Sequence, residues 1–545
     1  MNKVVILAIN AKYIHSALSV WVLSEGVFRY ARTAHDVKVV EVTIHHHDSD
    51  IAGLVEAHKP DVVGISTYIW NASKLPGLLR LLRERLPSAA FVLGGPEAAH
   101  NAEYWLDNGA DFVLRGEGER SFPALIDMLA GKAPPEPIPG LCQKQNGKTH
   151  VTPEAQSCGD FIDPYNDAYF TALGGKIAYI ETSRGCPFSC AFCLSGGSGV
   201  RFMPLETAKE QIRRLAGSGA RTIKFVDRTF NCNARRAYEL FEYIIGLDTP
   251  CNFHFEVAAD LFDQPTLLLL TAAPPGRIQF EAGLQSFYEP ALKASSRRTD
   301  LKKAGENIRA LLMARNIHIH LDLIAGLPYE TLPDFMDSFD QAYGLGMHTL
   351  QLGFLKLLYG SAMRERWKSI VCSQLPPYEI ISSPWLSPSD LTVIKHAENA
   401  LQRTYNKGRF LSALRYLLSA SGLRPFSFYH ALGQAVPNHG TQLEDYVGQL
   451  YSYCATLPGV ESDALLDHMT ADWLGMVKGK NMPPFLRAAK ESDRRLRQVV
   501  AKAEDLLGRR ISRGETSVLR GGGGVFVDSE KRDPVTGLYQ AHIVE

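Results

Sequence analysis

The sequence predicts an α/β protein. An N-terminal doubly wound parallel sheet of flavodoxin-like type is followed by a partial (β/α)6 barrel and a mostly helical C-terminal domain. Three observations carry this. Short apolar, β-branched runs alternate with helical periodicity over 1–130, and again with longer repeats from 177 to 354. A stretch of little periodicity, with Pro134, Pro135, Pro137, Pro139, Pro153 and Pro164, separates the two series. From 381 the pattern becomes helical and then ends in a glycine-rich tail. The expected boundaries are 1–135, a linker at 136–174, the barrel at 175–375, and 376–545 for the helical domain with a short extended tail.

In the first part, strands read at 3–9, 37–42, 61–66, 90–94 and 112–115, with helices at 16–32, 74–86 and 119–129. The strands are apolar throughout, as strands buried on both faces should be. In such a five-stranded sheet, the loops at the carboxyl ends of the strands form the ligand edge. They carry Asn10, Ser66-Thr67, Gly94-Gly95 and Gly116-Glu117-Gly118. Small residues there let backbone approach a large flat ligand, with Gly94, Gly95, Gly116 and Gly118 closest. The run His45-His46-His47 leads into Asp-Ser-Asp and reads as a solvated loop. The linker reads as an extended connector with one short hairpin at Asn146-Gly147.

In the second part, strands read at 177–182, 222–227, 251–256, 278–283, 318–325 and 348–354, with helices at 205–217, 233–246, 264–272, 301–315 and 331–345. The loop after the first strand holds Cys186, Cys190 and Cys193 at C-x3-C-x2-C spacing. Thiolates at this spacing suit an iron–sulfur cluster or zinc. Three ligands rather than four leave one position open, which marks a reactive centre. The other strand ends carry polar groups: Asp227, Arg228, Thr229 and Asn231 beside Phe230; Glu256; Glu281, Gln285 and Ser286 near Gly283; and Glu330 after Gly326-Leu327-Pro328. A polar group there needs a partner, so it faces the cavity at the active end of such a barrel. Cys232 follows the second strand and is the further thiol to watch.

The C-terminal third reads as helices at 388–405, 408–421, 440–456, 461–476 and 485–507, expected to pack over the barrel mouth. The tail, from Gly521–Gly524 to Tyr539, reads as a turn between two short strands.

Composition bounds the partners. Hydrophobic residues make up 45% of 545, enough for well-filled cores. Lys plus Arg is 58 and Asp plus Glu is 58, so no global field favours nucleic acid or an anionic membrane. No apolar run approaches the ~20 residues of a membrane helix, and the N-terminal run is too short for a signal peptide. Of nine cysteines, three are clustered, which argues for a reducing compartment and a metal site. A cytoplasmic location is expected.

The cysteine trio with Phe192, then D-R-T-F-N, E-A-G-L-Q-S and G-L-P-x-E-T, resembles the radical S-adenosylmethionine (SAM) superfamily. The order G-I-S-T, L-G-G-P and R-G-E-G-E over 1–130 resembles the cobalamin-binding domain fused to many of its members. The resemblance implies a [4Fe-4S] cluster on Cys186, Cys190 and Cys193, with SAM on its unique iron. It places Glu256, Gln285 and Ser286 near the SAM ribose or amino acid. Phe192 and the 323–328 strand end lie by adenine, and Arg201 supports cluster or SAM charge. Cobalamin falls to Asn10, Ser66, Thr67, Gly94, Gly95, Gly116, Glu117 and Gly118. The chain lacks D-x-H-x-x-G, so no protein histidine is expected on cobalt. The implied function is methyl transfer to an unactivated carbon or phosphorus centre, through a 5′-deoxyadenosyl radical and methylcobalamin. The alternatives are cyclisation, rearrangement or oxidation without methyl transfer, and a non-catalytic cobalamin and iron–sulfur protein. The implied partners are a small-molecule or peptide substrate and an electron donor such as flavodoxin or ferredoxin. No catalytic side chain is assigned.

Overall fold

The structure, a computed structural model, describes residues 2–132, 136–154, 160–197, 199–437, 442–476, 482–487 and 493–544. Pro134, Pro135 and Cys158 of the expected linker lie outside the described residues. The chain forms two compact units. One comprises Met1–Glu256, Ser295–Arg297 and Lys356–Ile380; the other comprises Val257–Ala294, Arg298–Leu355 and Ile381–Glu545.

In the first unit, five parallel strands are β1 (Lys3–Asn10), β2 (Asp36–Thr43), β3 (Val62–Ser66), β4 (Ala90–Gly94) and β5 (Phe112–Leu114). They lie in the order β2-β1-β3-β4-β5. β1 is an interior strand, between β2 and β3, and its apolar residues are buried on both faces, because helices cover both sides. The sheet has seven strands, not the expected five. β6 (Leu141–Gln145) and β7 (Lys148–Val151) form the Asn146-Gly147 hairpin, and β6 pairs antiparallel with β5. Both turn residues have positive φ, 52° and 75°, as a two-residue hairpin turn requires. Part of the expected linker is therefore sheet edge, and another part is the helix Asp167–Leu173. His45, His46 and His47 are exposed, as expected, but the next residues form an unexpected helix, Asp48–Glu56. Asp48 and Asp50 in its first turn suit the helix N-terminus.

The same unit continues with β8 (Ala178–Ile180), the antiparallel hairpin β9 (Ser183–Cys186) and β10 (Gly199–Phe202), and the parallel strands β11 (Thr222–Phe225) and β12 (Asn252–Val257). β11 pairs with β8 on one side and β12 on the other. Phe225, Phe230, Phe241 and Phe255 pack under these strands, with Phe225 and Phe255 stacked at 4.4 Å.

The second unit holds β13 (Ile278–Gln285), β14 (His318–Ala325) and β15 (Thr349–Phe354), all parallel. On β13, Ile278, Phe280, Ala282 and Leu284 are buried and alternate with half-buried Gln279, Glu281, Gly283 and Gln285. The C-terminal helices cover the helix that follows β14. Phe426 lies 5.4 Å from Phe339 and Tyr429 5.6 Å from Tyr343, both on the helix Leu332–Tyr343. Arg424 pairs with Asp340 at 2.6 Å on the same helix. The aromatic face of that helix needs a cover, which the C-terminal helices supply. Asn406 satisfies β15 by accepting from Leu350 N (2.9 Å) and donating to Leu350 O (2.8 Å). The tail forms the two expected strands, Gly524–Arg532 and Tyr539–Val544, and a third strand just before it, Thr516–Val518, joins their sheet. It reaches the amino end of β14, where His318 Nδ1 is 3.0 Å from Val535 O.

Candidate cofactor centre

Buried Asp227, just past β11, fixes the entry to the cysteine loop. It accepts from Thr182 N (2.8 Å), Thr182 Oγ1 (2.7 Å) and Ser183 Oγ (2.6 Å). Burial raises its carboxyl to about 6, and these bonds pull the other way. Held at this end, β9 delivers Cys186 as its last residue, with Sγ 3.5 Å from Thr229 Oγ1.

The loop closes on itself. Cys193 N donates to Cys190 O (3.0 Å), Gly197 N to Phe188 O (2.9 Å), and Ser195 N to Cys193 Sγ (3.4 Å). Two distant segments hold it. Ala191 N donates to Ser295 O at 2.8 Å, and Met363 N donates to Ala191 O at 2.7 Å. Arg297 Nη1 reaches Cys190 Sγ at 3.5 Å. Burial pushes the Cys190 thiol up, Arg297 pulls it back, and the charges of Cys193 and Cys186 push it further up. Cys232 is also pushed up by burial and by the charges of Cys186 and Asp227, so it belongs to the same neighbourhood.

The three thiols form no disulfide, and they meet Thr229 Oγ1, Ser195 N and Arg297 Nη1. Among the described residues, no three His, Cys, Asp or Glu side chains converge on a single metal ion. A cubane takes each thiolate on a separate iron, so three soft thiols receiving N–H donors fit three of its four irons. Phe192 is half-buried in this loop and Glu256 half-buried near the end of β12.

At the edge of the N-terminal sheet, the expected polar residues are engaged within the protein. Asn10 Nδ2 donates to His15 O and Glu41 Oε2, both at 3.1 Å. Ser66 Oγ donates to Leu7 O at 3.4 Å, and Thr67 N donates to Gly94 O at 2.7 Å. The glycines have packing reasons. Gly95 has φ 103°, and a Cβ there would meet Thr67 O at 2.7 Å. A Cβ on Gly118 would meet Leu23 at 2.9 Å, and one on Gly116 would meet Glu154 at 3.3 Å. Glu117 is ion-paired with Arg184 and Arg201, so Arg201 meets a carboxylate rather than standing free for SAM. What the edge does expose is aromatic. Tyr13 is 74% and Trp70 44% exposed, and Tyr68 stacks on Trp70 at 4.3 Å. Exposed large apolar groups mark ligand or partner surfaces, and this one suits a flat macrocycle.

In the second unit, Gln285 ends β13 at a register shift with φ 74°, a strained value for a side-chain-bearing residue. Its amide folds against Gly283, where a Cβ would collide with it. Its Oε1 is buried and has no hydrogen-bond partner among the described residues. A buried acceptor without a donor, on strained backbone at a strand end, fits a ligand amine or hydroxyl. Ser286 differs from expectation. It is fully buried and donates to Glu330 Oε1 at 2.5 Å, so its hydroxyl is occupied inside the protein. Ser338 Oγ donates to the same oxygen at 3.1 Å, and burial raises the Glu330 carboxyl to about 7.

Fold and site thus define a protein that joins a doubly wound sheet with an exposed aromatic edge to a three-thiol barrel. Family profiles agree. Residues 4–126 match the B12 binding domain, 180–342 the radical SAM superfamily, and 366–517 a protein of unknown function (DUF4080). The chain thus carries a B12-binding domain and a radical SAM domain. It is 28% identical over 308 residues to the hopanoid C-3 methylase of Methylococcus capsulatus, covering 54% of this chain and 58% of that one. It is 26% identical over 327 residues to the cobalamin-dependent radical SAM methyltransferase TokK of Streptomyces tokunonensis, covering 54% and 46%. The chain therefore spans about half the length of these curated relatives. The fold is shared with the cobalamin-dependent radical enzyme OxsB, at TM-score 0.60 and 14% identity, over 94% of this chain and 82% of that one.

Proposed function

We propose that the protein is a cobalamin-dependent radical SAM methyltransferase acting on an unactivated carbon of a small molecule. One observation carries the reading: a single compact unit holds both the three-thiol loop and the B12-binding sheet, and joins them directly through Arg184, Glu117 and Glu119. The methyltransferase names of the two relatives support it.

Cys186, Cys190 and Cys193 would hold a [4Fe-4S] cluster, and Gln285 and Glu256 would take SAM. Tyr68 and Trp70 would lie against cobalamin beside the Ser66-Thr67 loop. When bound, cluster and SAM supply the 5′-deoxyadenosyl radical and cobalamin carries the methyl group. The chain's own part is placement. Asp227 holds the start of β9, Ser295 and Met363 grip Ala191, and Arg297 donates to Cys190. A low-potential donor of flavodoxin or ferredoxin type would supply electrons, in a reducing cytoplasm. Among the described residues, no helix is long and apolar enough to cross a membrane.

The test is anaerobic loading with iron, sulfide and cobalamin, then SAM and a strong reductant, with products quantified by mass spectrometry. The reading expects both 5′-deoxyadenosine and S-adenosylhomocysteine, the latter dependent on cobalamin. Deoxyadenosine alone from fully loaded protein sinks the methyltransferase reading and favours ring formation or oxidation. Neither product, with both cofactors bound, sinks the catalytic reading.

A further inference from the structure

We propose that Arg184 is a positioning residue that clasps the cluster hairpin to the edge loop of the B12-binding sheet, and so sets the separation of the two cofactors. The inference rests on the reading above that both are bound.

Arg184 lies on β9, two residues before Cys186. Its guanidinium meets three carboxylates. Nη2 is 2.6 Å from Glu181 Oε2 and 2.8 Å from Glu119 Oε1, Nη1 is 3.2 Å from Glu117 Oε2, and Nε is 3.1 Å from Glu181 Oε1. Arg201 faces Arg184 across the β9–β10 hairpin and pairs with the other oxygen of Glu117. Both guanidinium groups lie by the Phe161 ring, at 5.7 and 5.9 Å. Glu117 and Glu119 belong to the loop after β5. They stand at the cap and second position of the helix Gly118–Leu129, where a helix N-terminus favours negative charge. The loop has little freedom, because Gly118 abuts Leu23 and Arg115 pairs with Glu154 at 2.7 Å.

The ordinary reading of such pairs is surface decoration worth under ~1 kcal/mol. Burial argues otherwise. Side-chain exposure is 7% for Glu119, 22% for Glu117 and 23% for Arg184. Three carboxylates facing two guanidinium groups, mostly out of water, are costly to desolvate, and apolar residues would serve stability better. What charge provides here is geometry. A planar fork with five donors fixes direction as well as distance, and a lysine ammonium does not. Placement matters to a radical reaction, because displacement of reacting groups by about 1 Å can cost ~100-fold in rate.

The test uses the full chain loaded with cluster and cobalamin, as wild type, Arg184→Gln, Arg184→Lys and Glu119→Gln. Iron content, cobalamin content and melting temperature establish loading and folding. The deciding readout is the electron paramagnetic resonance of the state with reduced cluster and cob(II)alamin, whose dipolar interaction falls with the inverse cube of separation. We expect a resolved interaction in wild type, and a weaker, more widely distributed one in Arg184→Gln and Arg184→Lys at full loading. If Arg184→Gln does not fold, Glu119→Gln leaves two carboxylates on Arg184 and should show a smaller change in the same direction. A wild-type-like interaction in every loaded variant, or no interaction in wild type, overturns the proposal. A wild type that binds both cofactors but forms no SAM-derived product fails the methyltransferase reading and leaves this measurement intact.

Discussion

The Arg297 guanidinium donates to Cys190 Sγ at 3.5 Å, although 107 residues separate the two. Hydrogen bonds and positive charge at cluster sulfurs raise the reduction potential. Arg297→Leu should therefore lower the cluster midpoint potential and slow SAM cleavage at fixed reductant strength. A redox titration followed by electron paramagnetic resonance reads this directly, and an unchanged midpoint would show that the contact is packing only.

Each of Cys186→Ala, Cys190→Ala and Cys193→Ala should lose the cluster after anaerobic reconstitution. Cys232→Ala should keep it, because the trio already provides the three thiolates. Iron and sulfide analysis with visible absorption decides the matter; cluster loss in Cys232→Ala would make that thiol a ligand.

Glu330 gives a pH signature. Its folded carboxyl holds a proton up to about pH 7, against an ordinary value of 4.5. Between those values unfolding releases a proton, so stability falls as pH rises through this window and is flat above it. The size is on the order of 3 kcal/mol at most. Glu330→Gln keeps an acceptor for Ser286 and Ser338 and removes the titration. Denaturant midpoints at pH 5 and 7.5 should differ less in this variant than in wild type.

Gln285→Gly removes side-chain strain at φ 74° and removes the buried amide oxygen. Stability should change little or rise by about 1 kcal/mol, while SAM affinity falls. Equilibrium dialysis with SAM and a thermal melt separate the two effects. Undiminished SAM binding would remove Gln285 from the site.

Tyr378 donates its hydroxyl to buried Glu97, whose carboxyl is already raised by burial. Tyr378→Phe should cost about 1–3 kcal/mol, the usual penalty for an abandoned buried partner. It should also raise Glu97 further, because the lost bond favoured the carboxylate. The loss should thus be larger at pH 8 than at pH 5, as denaturant titrations at both pH values would show.

Local signals were legible in the sequence. Spacing alone picked out Cys186, Cys190 and Cys193, and apolar, β-branched runs found the parallel strands of both series within a few residues, though not the β9–β10 hairpin. Relations through space were not. Arg184 and Glu117 both stood in motifs that the sequence displayed, yet no periodicity says that one grips the other. Ser286 was read as facing the cavity because it follows a strand; its acid partner, Glu330, comes from beyond the next strand. The Asn146-Gly147 hairpin was legible as a turn, but its pairing with β5 depends on a sheet edge that only the fold supplies. Arg297 lies in an unremarkable Ser-Ser-Arg-Arg run and gains meaning only from the loop it touches.

The segment Lys356–Ile380 returns from the barrel to the first unit, where Met363 holds Ala191 and Tyr378 holds Glu97. Its consequence is a limit on modularity. A chain ending after β15 would keep every cysteine of the trio and still lose a hydrogen bond at the cysteine loop and another at the loop of Glu97. The C-terminal family match begins at 366, inside this segment, so that point is a boundary of sequence but not of folding. Recombination between relatives that exchanges substrate-facing regions should leave both loops intact only when the junction falls beyond Ile380.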